Sequence, residues 1–197
     1  MLKIEYIWRE LLYKAIEEKQ PEFSISQLAN KFKLSTSLVA HALAPLRGLN
    51  IVRIGKLNSQ VIDSEKLLFF WATRRNTEKE IIYKTYSSAT NYEIESLMPA
   101  NSVPTAYSAC RLLFDINTAD YDKIYYYSHS KEEVMERFPP NENKKANIFI
   151  LQADKFLASY LRIPMGQAFV DLWSLPQWYS REFTEALLLK IKAEIGL

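Results

Sequence analysis

Apolar residues recur at three- and four-residue spacing from the start of the chain: Ile4, Ile7, Trp8, Leu11, Leu12, Ala15 and Ile16. That spacing predicts a helix over 2–19, with Glu5, Arg9, Glu10, Lys14 and Glu17 on the opposite side. Pro21 blocks its continuation. Ser24 or Ser26 then caps a short second helix, 25–32, with Ile25, Leu28, Ala29 and Phe32 inward. Lys33 and Leu34 form a turn. Ser35 caps a third helix whose inward residues are Leu38, Val39, Ala42, Leu43 and Leu46. Pro45 removes one backbone donor from this helix and is expected to kink it or end it early. Two strand-like stretches follow, 50–53 and 60–63, joined by a turn to which Gly55 and Asn58 are suited. Residues 64–75 read as a linking helix capped by Ser64. Its bulky apolar face is Leu67, Leu68, Phe70 and Trp71, expected to pack on the first helix.

Beyond this point helices and strands alternate. Strands are expected over 80–86, 123–127 and 146–152, and helices over 91–98, 105–114, 131–137, 164–175 and 177–195. Pro99 and Pro104 mark a loop, and 139–145 is a second, exposed one. The run Ala146 to Gln152 is almost continuously apolar, which places it at the centre of a sheet. The mixture predicts an α+β chain: a domain over 1–63, a linking helix over 64–78 and a mixed α/β domain over 79–197.

Composition narrows the chemistry. Four glycines in 197 residues is about 2%, against roughly 7% in ordinary proteins. They are scattered, so no glycine-rich nucleotide loop exists. The single cysteine, Cys110, rules out an intrachain disulfide and a cysteine-cluster zinc site. His41 and His129 are the only histidines, so neither a metal nor a cofactor is expected. No apolar run approaches the ~18 residues of a membrane span. The charged N-terminus does not read as a signal peptide, so the expectation is a cytoplasmic protein with no membrane partner. Charge is uneven. Residues 1–75 carry net +5 and residues 76–197 net −3, the asymmetry of a polyanion-binding module joined to a second domain.

The stretch 25–55 resembles the helix-turn-helix core of bacterial and archaeal winged-helix regulators. The carriers are Leu28-Ala29 on the second helix, Ser35 opening the third, Val39, Leu43, Leu46, and Ile51-Val52 leading into a strand. With the apolar residues of the third helix buried, Thr36, Ser37, Ala40 and His41 face outward. The N-terminal part of such a helix meets base edges in the major groove. Ser35 and the free amides at the helix start suit a phosphate. Arg47 near the helix end, and Arg53 and Lys56 in the wing, are candidate contacts to the DNA backbone. The implied partner is double-stranded DNA.

The tail 164–187 resembles a C-terminal pattern of prokaryotic proteins that pair a winged helix with a nucleotidyltransferase-like domain. Among these are AbiE-type antitoxins of type IV toxin–antitoxin systems. Pro164, Gln167, Asp171-Leu172 and the stretch 182–187 carry the resemblance. It implies a non-catalytic regulator whose second domain self-associates or meets a toxin-like nucleotidyltransferase. Nucleotide transfer itself needs a Gly-Ser turn, which is missing, and a carboxylate pair one residue apart. Asp120 and Asp122 have that spacing but precede the strand instead of following it, which leaves a metal-dependent nucleotidyltransferase as the alternative. A pure protein-interaction module, favoured by 13% aromatic residues, is the third reading. Ser128-His129-Ser130 sets a histidine beside hydroxyls, but adjacent residues rarely face one another as nucleophile and base must. Tyr125-Tyr126-Tyr127 read as half-buried strand residues, and Cys110 as inert core.

Overall fold

The computed structural model describes residues 1–55, 58–141 and 144–196. The chain is α+β, with two small sheets. It packs into two units that are not consecutive stretches. The first holds Met1–Arg75, Pro164–Val170 and Leu188–Leu197, and the second holds Asn76–Ile163 and Asp171–Leu187. The expected linking segment thus falls with the first unit as far as Arg75, and two C-terminal pieces return to that unit. Among the described residues, no helix is long and apolar enough to cross a membrane.

The first unit opens with α1 (Lys3–Ile16), β1 (Glu22–Phe23), α2 (Ile25–Phe32), α3 (Thr36–Gly48), β2 (Val52–Arg53), β3 (Ser59–Val61) and α4 (Ser64–Ala72). The expected helices are all present. Helix α2 is capped by Ser24, whose Oγ accepts from the Gln27 amide at 3.5 Å. It ends at Lys33, which adopts a left-handed backbone with φ 52°. The Leu34 amide then donates to the Ala29 carbonyl at 2.9 Å, closing the turn into α3. Ile7, Leu11, Leu28, Phe32, Val39, Leu43 and Leu46 are buried, each contributing about 1.5–3 kcal/mol through loss of apolar surface. Trp8 Nε1 donates to the Ala42 carbonyl at 3.0 Å and fixes α1 against α3. Its ring meets Phe70 edge-on at 5.2 Å.

The sheet of this unit is antiparallel with order β1-β3-β2. Val52 faces Val61 and Arg53 faces Gln60, so the two expected strands pair as a hairpin. Strand β1 was not expected; it joins the other side of β3 through Glu22 and Gln60. Gly55 is required in the hairpin turn, because a Cβ there would lie 2.3 Å from the Asn58 carbonyl oxygen.

Three further expectations are corrected. Helix α3 is not cut short by Pro45 but runs through it to Gly48, with the proline ring exposed. Helix α4 is capped by Asp63, not Ser64: Asp63 Oδ1 accepts from the Lys66 amide at 2.7 Å. Glu5, Arg9 and Glu10 are buried, although the apolar period of α1 assigns them to water.

The second unit carries a four-stranded mixed sheet of order β4-β7-β6-β5. The strands are β4 (Ile81–Thr85), β5 (Val103–Thr105), β6 (Ile124–Ser128) and β7 (Ile148–Gln152). As its apolar run implies, β7 is interior, antiparallel to β4 and parallel to β6. Strand β5 replaces part of the expected proline loop. It sits at the sheet edge, where Pro104 breaks no interior ladder. Helices α5 (Asn91–Ser96), α6 (Ala106–Phe114) and α7 (Glu132–Arg137) lie between the strands in sequence. Helices α8 (Met165–Trp173) and α9 (Ser180–Ile195) follow them.

Candidate nucleic-acid interface

Helix α3 starts at a defined cap. Ser35 Oγ accepts from the Leu38 amide at 3.2 Å, holding the first turn. Thr36, Ser37, Ala40 and His41 are exposed along one side, while Val39, Ala42, Leu43 and Leu46 fill the other and Leu38 is half-buried. The leading turns therefore present two hydroxyls, a methyl and an imidazole to solvent. The amides behind Ser35 carry the positive end of the helix dipole.

Arg47 and Arg53, both exposed, converge from different elements. With Asn50, Val52, Ile54 and Ile62 they line one open groove of about 400 Å³. Arg47 and Ile54 also border an adjoining apolar groove of about 380 Å³, which reaches back to Ala40 on α3. The structure thus brings together Ala40, Arg47 and Arg53. Ser35, Thr36, Ser37 and His41 line neither groove, the first three lying at the other end of the helix. Thr36 and Arg47 are eleven residues apart, about 16 Å along the axis. Lys56 lies outside the described residues.

The electrostatics favour an anion at this face. The first unit holds 14 Lys and Arg against 8 Asp and Glu, net +6, and the second 11 against 15, net −4. Most carboxylates of the first unit are engaged elsewhere. Glu5 receives Trp71 Nε1 at 2.9 Å and lies 3.6 Å from the Arg75 guanidinium. Glu10 pairs with Lys31 at 2.6 Å, Glu65 with Lys192 at 2.8 Å and Glu194 with Lys19. Glu17 accepts from the Met165 amide at 2.6 Å. By contrast, no carboxylate among the described residues pairs with Lys33, Arg47 or Arg53. Glu22 shares the cross-strand row of Arg53, but two strands away, about 10 Å. At physiological salt that distance is largely screened.

Asn50 lines the Arg47–Arg53 groove and was not among the residues expected there. It occupies a left-handed backbone position, φ 55°, just beyond α3, where asparagine is enriched.

The alternative carboxylates do not form a comparable site. Asp120 and Asp122 are both exposed in the stretch before β6. Asp122 accepts from the Tyr179 hydroxyl at 2.5 Å and pairs with Lys123 at 2.9 Å. Partial burial pushes its carboxyl upward, but these two partners outweigh that and hold it below the usual range. Among the described residues, no three His, Cys, Asp or Glu side chains gather closely enough to hold a metal. Ser128, the last residue of β6, is buried, whereas His129 just beyond it is exposed. Tyr125, Tyr126 and Tyr127 are all buried, and burial pushes the first two hydroxyls up to about 12. Burial likewise raises the Cys110 thiol to about 12, which keeps it protonated and unreactive at neutral pH.

No protein-family model, curated protein or solved structure shows significant similarity to this chain.

Proposed function

We propose that this chain is a cytoplasmic DNA-binding transcriptional regulator, an autorepressor or antitoxin-like protein that works without catalysis of its own. In this reading residues 1–63 form a winged helix. The second, nucleotidyltransferase-like part serves self-association or a toxin-like nucleotidyltransferase partner. The observation that carries it is the exposed leading edge of α3, followed by two cations that no described carboxylate neutralises, on a unit of net +6. The element order helix–strand–helix–helix–strand–strand, with an antiparallel sheet ordered β1-β3-β2, supports the winged-helix assignment. Thr36, Ser37, Ala40 and His41 meet base edges in the major groove. Ser35, Arg47 and Arg53 hold phosphates, with Lys56 as a further wing contact.

The test is binding to a labelled duplex from upstream of its own gene, measured against salt. Preference over an unrelated duplex at about 150 mM salt is expected. Each phosphate contact contributes about 0.9 to the slope of log affinity against log salt, so Arg47→Ala with Arg53→Ala should flatten it by about 2. Absence of preferential binding rejects the proposal.

A further inference from the structure

A second cationic site lies within the second unit, whose net charge is −4. Of its eleven Lys and Arg, four line one groove of about 520 Å³: Lys84, Lys123, Lys144 and Lys145. Lys84 comes from β4, Lys123 precedes β6, and Lys144 and Lys145 precede β7. They are up to 61 positions apart, and the sheet gathers them. Lys123 pairs with Asp122; among the described residues no carboxylate pairs with the other three. Four lysines around one groove favour a negatively charged occupant.

One aromatic ring, Phe149, lines the groove. Phe149 is half-buried, stands in register with both Lys84 and Tyr125, and stacks on Tyr125 at 4.8 Å with an interplanar angle of 12°. The frame is fixed. Thr85 Oγ1 donates to the Pro139 carbonyl at 2.8 Å and accepts from the Asn141 amide at 3.0 Å. Asn147 exchanges two bonds of 2.9 Å with the backbone of Ser87. Asn141 also lines a neighbouring polar groove that contains Tyr86 and Arg137. Lys144 lies over the Tyr86 ring at 4.9 Å. Both grooves thus carry cations together with aromatic rings, and they share Asn141.

We propose that this surface binds single-stranded nucleic acid, with a base stacked on Phe149 and the lysines following the phosphates. Lysines alone suit any polyanion. A fixed ring among them suits an exposed base, and duplex bases are already stacked inside their helix and cannot reach it. The site is separate from α3 and does not depend on the duplex-binding reading.

The test uses the full chain and a fluorescein-labelled eight-residue oligothymidylate, followed by anisotropy against salt. Four lysine contacts predict a slope of about −3, and Lys84→Ala with Lys145→Ala should halve it. Phe149→Leu should weaken binding about tenfold, while Phe149→Trp should retain it. Arg47→Ala with Arg53→Ala should leave oligothymidylate affinity unchanged, which separates this site from the duplex interface. Unlabelled single strand should compete, and a duplex of equal length or ATP at equal concentration should not. The proposal is overturned by no binding at about 50 mM salt, by equal competition from duplex or ATP, or by insensitivity to the lysine pair. An unchanged affinity in a folded Phe149→Leu overturns it too. If that variant melts early, the lysine pair, on exposed side chains, carries the test.

Discussion

Glu5, Arg9 and Glu10 stand on the side of α1 that its apolar period leaves polar, yet water does not reach them. Their partners explain why: Trp71 and Arg75 for Glu5, Gln167 for Arg9 and Lys31 for Glu10. Period alone separates apolar from polar positions; it cannot show that a polar face meets chain segments 21 to 158 residues away. Gln167 and Asp171, which carried part of the family resemblance, have structural work to do. Gln167 Oε1 accepts from Arg9 at 3.1 Å, and Asp171 accepts from Thr105 at 2.8 Å and Tyr127 at 2.7 Å. Burying a charge without its partner is costly, whereas replacing both partners is much less so. Arg75→Met should therefore destabilise the protein by about 3 kcal/mol in urea titration. Adding Glu5→Gln, which keeps the acceptor for Trp71, should recover more than half of that loss. A cost below about 1 kcal/mol for Arg75→Met would show that the Glu5 carboxylate does not rely on it.

At the scale of elements, α3 was legible because cap, apolar spacing and following strand all lie within one short stretch. Ser35 caps it and the four expected outward residues are exposed. The strands that escaped notice are those with no pattern to read. Strand β1 has two residues, too few for an alternation. Strand β5 has three, with a proline in the middle. Its edge position removes the objection to proline, but edge position is a property of the sheet and not of the segment. The early end expected at Pro45 does not occur, for a related reason. The proline sits in the last turn of α3, and the helix closes behind it through the Leu49 amide on the Pro45 carbonyl at 3.1 Å. What it removes is the donor that would serve the His41 carbonyl. Pro45→Ala restores that donor at an exposed site and should stabilise the chain by about 1 kcal/mol or more, read as a rise in Tm. Duplex affinity should stay within about twofold, because the residues assigned to base edges all precede the proline. A large change in affinity would mean that the proline itself shapes the recognition surface.

At the scale of the molecule, the sequence showed a basic front and an acidic back but placed one boundary between them. The structure sharpens the charge contrast to +6 and −4 because residues 164–170 and 188–197 belong with the front. Those segments are structural members of the first unit. Gly166 lies so close to Leu12 that a Cβ there would meet its side chain at 3.0 Å. Phe69 meets Phe169 edge-on at 5.8 Å, and Lys192 reaches Glu65. Met165, Ala168, Phe169, Val170 and Ile191 are buried. A domain of fewer than about 70–80 residues rarely has more than 3–5 kcal/mol to spare, and losing one or two large apolar side chains removes about that much. Residues 1–75 by themselves should therefore lack the cooperative thermal transition of the full chain, as followed by circular dichroism. Their apparent duplex affinity should fall in proportion to the fraction folded. If the fragment melts cooperatively at the full chain's Tm, the C-terminal segments are dispensable to the first unit, and its core ends at Arg75.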